Sequence, residues 1–211
     1  MAVLKGSKEH SYIQDTINEL ESEDGVSYLF STEYPQVLHH GDLSGTNILV
    51  DEQTFDITGF IDWSLAAMKP FGLEIWALRR AGGNMTADGW SDFSCRNVAE
   101  LAFWDEFFKT ANIKDPDRRT AVRRHAELAG KLGLILRFAF NKTLGGEVLD
   151  TLASKPSRFL SEFLKNQNWS QIVLRPDDEK ALAELKEKPL GTTMQVSLEP
   201  TTASPDHVAS E

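Results

Sequence analysis

Apolar residues recur at helical spacing along much of the chain. In the first such stretch, Ile13, Ile17 and Leu20 fall on one side of a helix, while the residues between them are mostly polar. This period places one face of a helix in the core and the other face in solvent. The pattern predicts helices at residues 8–20, 70–80, 98–108, 119–140 and about 148–164.

Two short apolar segments differ from the helical pattern. NILVD, residues 47–51, and ITGFID, residues 57–62, are rich in Ile and Val and are separated by polar residues. β-Branched residues favour strands, and a polar turn between two such runs is typical of a β-hairpin. We therefore expect a mainly α fold of the α+β class, with one small hairpin that has a loop at each outer end.

The chain divides by composition into three parts. Residues 1–35 are expected to form an N-terminal helix and a connector, and residues 36–175 a folded domain that contains the hairpin. From residue 176 the chain is acidic; DDEKALAELKEK is compatible with a short charged helix, and the rest is rich in Thr, Ser and Pro. Such a composition buries too little apolar surface to offset the entropy of ordering, so residues 176–211 are predicted to be a disordered tail.

The overall composition argues against several classes of protein. The net charge of −10 disfavours a nucleic-acid partner, because phosphate backbones attract basic surfaces. The single cysteine, Cys95, cannot form an internal disulfide or a zinc site of paired cysteines. Since no apolar run reaches about 18 residues and no secretory leader is evident, we expect a cytoplasmic protein without a membrane-spanning helix.

Polar residues of catalytic potential cluster at one end of the predicted hairpin. Asp42 lies in the loop HGDLSGTN, where a carboxylate can orient and deprotonate a hydroxyl group. Asn47 enters the first strand and Asp62 ends the second, so antiparallel pairing brings their oxygen atoms to the same end. Two such ligands suit Mg²⁺ that is also held by substrate phosphates. The alternative is that Asp42 and Asn47 only stabilise a turn through their own backbone.

The full arrangement is His-Gly-Asp-x4-Asn-Ile-Leu-Val-Asp, followed by a second strand that ends in Ile-Asp-Trp. It resembles the aminoglycoside phosphotransferase and choline kinase-like family, whose fold is related to that of protein kinases. The resemblance covers about residues 36–80, and PFGLEIWAL is similar to a segment of fungal members. It implies the large C-terminal lobe of a kinase-like fold and transfer of the γ-phosphate of ATP to a hydroxyl group of a small molecule.

The resemblance also implies roles for five residues. Asp42 is expected to be the catalytic base, with His40 supporting its loop. Asn47 and Asp62 are expected to ligate Mg²⁺ that bridges the phosphates of ATP. Glu74, at a position where the family often has Asp, is expected to brace the loop by accepting backbone N–H groups; an ordinary acidic residue at a helix start is the alternative.

A kinase-like fold also needs a nucleotide lobe, and its sequence signals are missing. The residues before Asp42 contain no GxGxxG loop and no strand of the Val-Ala-Ile-Lys type. We therefore expect the N-terminal nucleotide lobe to be absent and catalysis by this chain alone to be weaker by several orders of magnitude. Three interpretations stay open: a truncated or incompletely read gene, a binding or regulatory module that retains only the C-terminal lobe, and a site that a protein partner completes by covering the exposed face.

The resemblance implies that the acceptor binds among the helices that follow the Asp-Trp pair, about residues 72–140. The acidic residues of that span could meet a cationic acceptor, but a solvated surface position is the favoured interpretation of each. They are Asp88, Asp92, Glu100, Asp105 and Glu106.

Overall fold

The computed structural model describes residues 11–22, 25–142, 148–152, 158–165 and 176–187. Its helices are α1 (Ser11–Ser22), α2 (Gly25–Leu29), α3 (Trp76–Ala81), α4 (Arg96–Thr110), α5 (Pro116–Phe138), α6 (Arg158–Lys165) and α7 (Pro176–Glu187). Its strands are β1 (Gln36–His39), β2 (Ile48–Val50), β3 (Ile57–Phe60), β4 (Ala67–Pro70), β5 (Gly83–Met85), β6 (Trp90–Asp92), β7 (Phe140–Lys142) and β8 (Val148–Leu152).

The strands of the described part form small antiparallel pairs and no larger sheet. β2 pairs with β3 so that Ile48 lies opposite Phe60, which forms the hairpin. β1 pairs with β4, with His39 opposite Ala67, and so ties the segment before the loop to the segment after the hairpin. β5 pairs with β6, and β7 with β8.

Helix α5 is the centre of the core. Leu134 and Ile135 pack with Ile13 and Ile17 of α1. Gly133 lets the segment before α3 approach α5 closely, because a Cβ atom at this position would collide with the carbonyl oxygen of Leu73. This contact holds residues 71–75 against the helix and thereby fixes the position of Glu74.

A buried ionic network joins α3, α4 and α5. Arg79 Nη2 lies 3.2 Å from Glu100 Oε1, and Arg123 Nη2 lies 3.3 Å from the same oxygen. Arg123 Nε also donates to Glu127 Oε1 at 2.9 Å. Burial raises the pKa of Glu127 and lowers that of Arg79, although each has oppositely charged neighbours. Buried charges persist only when paired in this way, so the network fixes how the three helices meet.

Most of the predicted helices and the hairpin are confirmed. α1 covers the described part of residues 8–20, and α4 extends beyond the predicted 98–108 at both ends. α5 begins before the predicted start at residue 119 and ends at Phe138, before the predicted end at residue 140. The predicted mixed α+β class is also confirmed, since helices and small antiparallel sheets alternate along the described residues. No helix in the described part of the chain is both long and apolar enough to cross a membrane.

Two helix predictions are wrong in part. Residues 71–75 of the predicted helix 70–80 form turns, and α3 begins only at Trp76. Residues 148–152 of the predicted helix 148–164 form β8, because pairing with β7 supplies hydrogen bonds to a segment that contains β-branched Val148 and Thr151. The helical part of that segment begins at Arg158.

Residues 176–187, which the composition assigned to the disordered tail while being compatible with a short charged helix, form α7. α7 packs against α4, and Asn97 Nδ2 donates to Asp178 Oδ2 at 3.4 Å. Residues 188–211 of the predicted tail and residues 1–10 lie outside the described residues. The predicted division of the chain at residues 35 and 175 stays a prediction.

Candidate active site

The loop between β1 and β2 carries Asp42 and turns sharply at Gly41. Gly41 has φ of +87°, and a Cβ atom there would collide with the carbonyl oxygen of Leu65. Only glycine adopts this conformation without strain and without that collision. The turn therefore brings Asp42 next to the segment that follows the hairpin.

Glu74 holds the start of this loop. Its Oε2 accepts the backbone N–H of His40 at 3.1 Å, and its Oε1 accepts that of Gly41 at 2.6 Å. Glu74 Oε2 also lies 3.2 Å from Nδ1 of His39, whose side chain is only 6% exposed. The other ring nitrogen of His39 lies 2.9 Å from the carbonyl oxygen of Pro70, so each ring nitrogen faces an oxygen atom.

Opposing effects set the protonation of Glu74. Burial by itself raises the pKa of the carboxyl group, but the hydrogen bond and charge of His39 lower it, as do the N–H of Gly41 and the charge of Lys69. The pKa of Glu74 consequently lies below its ordinary value of 4.5. A carboxylate that stays ionised is a strong acceptor for the two N–H groups of the loop.

His40 ties the loop to the end of the hairpin. Its Nε2 donates to the carbonyl oxygen of Ile61 at 2.7 Å, and its Nδ1 accepts the N–H of Asp42 at 3.3 Å. The ring also packs against Trp63, with 4.8 Å between ring centroids. These contacts assign the ring proton to Nε2 and place His40 as a support of the loop that points away from solvent.

Asn47 and Asp62 lie at the same end of the hairpin. Asn47 accepts the N–H of Ile61 through its backbone oxygen at 3.0 Å, and its side-chain Nδ2 donates to the backbone oxygen of Asp42 at 2.9 Å. This bond leaves Oδ1 of Asn47 for another partner. Asp62 is exposed in a left-handed backbone conformation, with φ of 60°, and one of its carboxylate oxygens accepts the Ser64 hydroxyl at 2.7 Å.

These oxygens form a suitable donor set for a hard cation. The Oδ1 of Asn47 and the carboxylate of Asp62 are the ligand types that Mg²⁺ prefers when substrate phosphates supply its remaining ligands. The described residues hold no group of three or more His, Cys, Asp or Glu that could bind a metal by itself. The residues thus fit a cation that arrives with a phosphate-bearing ligand.

An arginine that the sequence patterns did not single out completes the site. Arg137, near the C-terminal end of α5, donates through Nη2 to Oδ1 of Asp42 at 2.5 Å. The two residues are 95 positions apart, so no local motif could have indicated the pair. Its position at the end of a helix predicted to face the core was the only signal available.

A cavity of about 380 Å³ is lined by Arg137, the residue that pairs with Asp42. Arg137 and Lys69 contribute its positive charges, and Glu74 and Gly41 join it to the loop. A second cavity, of about 690 Å³, has mostly apolar walls formed by the hairpin, α3 and loop residues 43–45. The described surface therefore offers a charged space and an apolar space next to the same loop.

The acidic residues expected to meet a cationic acceptor do not gather at these cavities. Glu100 is buried in the ionic network of α3, α4 and α5. Asp92 pairs with Arg96, and Glu106 pairs with Lys109. Asp88 and Asp105 are exposed.

Comparison with known proteins gives one result for this region. No curated protein and no solved structure matches the chain. The family model APH, described as the phosphotransferase enzyme family, matches residues 17–107. The match covers less than half of the chain, but it includes Asp42, Asn47, Asp62 and Glu74. The part of this chain that carries the candidate active site is thus similar to the phosphotransferase enzyme family.

Proposed function

We propose that this chain carries a phosphotransferase-like domain that transfers the γ-phosphate of ATP to a hydroxyl group of a small molecule. The observation that carries the proposal is the convergence of Asp42, Asn47 and Asp62 at one end of the hairpin, inside the region that matches the phosphotransferase family. A large C-terminal lobe of a kinase-like fold accommodates this arrangement. The mixed fold of helices and a small hairpin is compatible with such a lobe.

Asp42 acts as the base in the proposed reaction. Its carboxylate accepts the proton of the acceptor hydroxyl as that oxygen forms a bond to the γ-phosphorus. The bond between the γ-phosphorus and the bridging oxygen breaks, and ADP leaves with the electron pair. Asn47 keeps Asp42 in place through the bond from Nδ2 to its backbone oxygen.

Asn47 and Asp62 are the residues proposed to hold Mg²⁺. When bound, the ion neutralises and orients the phosphates of ATP. The residues of this chain supply the scaffold: the antiparallel pair of β2 and β3 keeps the two ligands at one end, and His40 ties the loop to the same end through the oxygen of Ile61. Glu74 and His40 are accordingly proposed as positioning residues.

A second candidate function is a binding or regulatory module without turnover. The observation in its favour is that the described residues hold only two-stranded sheets and no larger sheet of the kind that covers a nucleotide. A second observation in favour of such a module is that Asp42, the proposed base, is already paired with Arg137. We further propose that a protein partner covers the exposed hairpin in either case.

The first experiment is a titration of the purified chain with a fluorescent ATP analogue, with and without Mg²⁺. We expect saturable binding that depends on Mg²⁺ and is lost in Asp62→Ala. The matched control is Asp56→Ala, which removes an exposed carboxylate at the other end of the same hairpin. Binding that survives in Asp62→Ala, or no binding at about 1 mM nucleotide, contradicts the proposed phosphotransferase.

A further inference from the structure

We propose that the acceptor is an anionic hydroxyl compound, a hydroxy acid with an apolar body, bound by Lys69 and Arg137 in the 380 Å³ cavity that is lined by Arg137, the partner of Asp42. The inference rests on the proposed phosphotransferase function and names the acceptor's chemical class. It differs from the cationic acceptor that the acidic residues of the sequence suggested.

The cavity has the size and character of a site for a small molecule. Its volume falls within the range of about 300–1,000 Å³ that is typical of ligand pockets. Apolar side chains form much of its wall and suit an apolar ligand body. They are Phe30, Leu65, Leu73, Trp76 and Leu136.

The charges that remain available in this cavity are positive. Glu74 is its one acidic residue, and both oxygens of Glu74 already accept backbone N–H groups or face His39. Lys69 is half-buried and makes no ion pair or hydrogen bond with the residues that the structure describes. The charge of Lys69 acts on the Glu74 carboxylate and lowers its pKa, but no residue that the structure describes bonds the ammonium group directly. A partly desolvated ammonium group in this position gains from direct contact with a ligand carboxylate or phosphate.

Arg137 connects the cavity with the proposed base. One guanidinium nitrogen donates to Asp42, and the guanidinium has further N–H groups that this single bond leaves unused. Arg137 and Gly41 line the cavity, and both adjoin Asp42, so a ligand anion held by Arg137 is one side chain away from the proposed base. A cationic acceptor meets Lys69 and Arg137 here, while the two nearby carboxylates, Glu74 and Asp42, already have hydrogen-bond partners.

The test measures acceptor binding without nucleotide, so it does not depend on phosphoryl transfer. Three hydroxy acids serve as probes, namely lactate, 3-phenyllactate and 3-hydroxybenzoate, in calorimetric titrations at low ionic strength, where charge–charge attraction is least screened. Phenylalaninol, which has a ring, a hydroxyl and an ammonium group, is the charge-reversed control. We expect 3-phenyllactate to bind more tightly than lactate because of the apolar wall, and phenylalaninol to show no binding.

Variants locate the binding to this cavity. Lys69→Met should weaken 3-phenyllactate binding by about tenfold or more, and Lys69→Arg should retain it. Lys114→Met, which removes an exposed lysine between α4 and α5, should leave it unchanged. Circular dichroism melting of each variant separates loss of binding from loss of folding.

Three results would overturn the proposal: no binding by any of the acids, equal or tighter binding of phenylalaninol, or equal binding by Lys69→Met and the parent chain. Failure of the phosphotransferase proposal looks different. In that case the acids still bind in the Lys69-dependent manner, while the nucleotide titration shows no dependence on Mg²⁺ or Asp62.

Discussion

At the scale of single residues, Glu74 determines the geometry of the loop that carries Asp42. It is the common acceptor for two successive backbone N–H groups and the partner of buried His39. Hydrogen bonds to an ionised group contribute about 1.5–3 kcal/mol each when the alternative is an unsatisfied donor. A neutral side chain of the same shape cannot replace both bonds, since an amide has one acceptor oxygen.

We therefore expect Glu74→Gln to lower the free energy of unfolding by about 2 kcal/mol at neutral pH. The pKa of Glu74 in the folded protein lies below its ordinary 4.5, so this contribution is complete above about pH 4.5. It is lost as the pH falls through the lower pKa of the folded state. Urea denaturation of the parent and the variant between about pH 3 and pH 7 should show a difference that shrinks towards acid.

The control for this measurement is Glu52→Gln in the exposed turn of the hairpin. Its stability should match the parent within about 0.5 kcal/mol across the same range. A Glu74→Gln difference that is independent of pH, or that grows towards acid, would contradict the assigned role of the ionised carboxylate.

The residue scale also separates what the sequence could predict from what it could not. The HGDLSGTN loop and the Ile-Asp-Trp motif predicted that Asp42, Asn47 and Asp62 lie together. This was possible because antiparallel pairing brings the start of the first strand of a hairpin next to the end of the second. Arg137 could not be found in this way, because its contact with Asp42 depends on how α5 packs in the finished fold. Lys69 was missed for a related reason: its place in a cavity wall follows from the pairing of β4 with β1.

At the scale of elements, α3, α4 and α5 are joined by charge as well as by apolar packing. Glu100 of α4 is 5% exposed and lies against Arg79 of α3 and Arg123 of α5. Removal of one charge from such a group is costly, because it leaves buried partners without compensation. The network therefore contributes to the placement of α3, and α3 in turn lines the apolar cavity beside the loop.

Glu100→Gln should lower the free energy of unfolding by about 3 kcal/mol. The matched control is Glu106→Gln on the same helix, whose pair with exposed Lys109 should contribute no more than about 1 kcal/mol. Both values can be measured by urea denaturation at neutral pH. Equal effects of the two substitutions would show that burial of Glu100 does not govern the strength of its interactions.

The elements themselves were predictable to the extent that their signals are local. The helical period identified α1, α4 and α5, and the two Ile- and Val-rich runs identified the hairpin. The pairings of β1 with β4 and of β7 with β8 were not predicted. These strands have three to five residues, and so short a pattern does not indicate which other segment a strand pairs with. The same lack of a partner signal made residues 148–152 look helical.

At the scale of the whole molecule, the hairpin presents an unusual amount of apolar surface. We call Leu49, Val50, Ile57, Phe60 and Trp63 the hairpin surface; each of these side chains is at least 43% exposed. Consecutive residues of a strand point to opposite faces, so exposure of both Leu49 and Val50 means that neither face is fully covered. Exposed apolar side chains clustered on one hairpin next to a candidate active site are typical of an interaction surface, which supports the proposed protein partner.

The hairpin surface should bind a hydrophobic dye and promote association of the purified chain. The double variant Val50→Thr/Ile57→Thr changes two side chains that lie opposite each other across the hairpin. Threonine retains the β-branched shape that favours strands, so each change should alter the free energy of unfolding by no more than about 0.5 kcal/mol. Dye fluorescence should fall, and the sedimentation velocity profile should shift towards the monomer.

The control is Phe93→Ser, at an exposed position outside the hairpin surface, which should change neither quantity to the same degree. A large loss of stability with unchanged dye binding would instead mean that Val50 and Ile57 are packed, and that the apolar surface which the partner needs lies elsewhere.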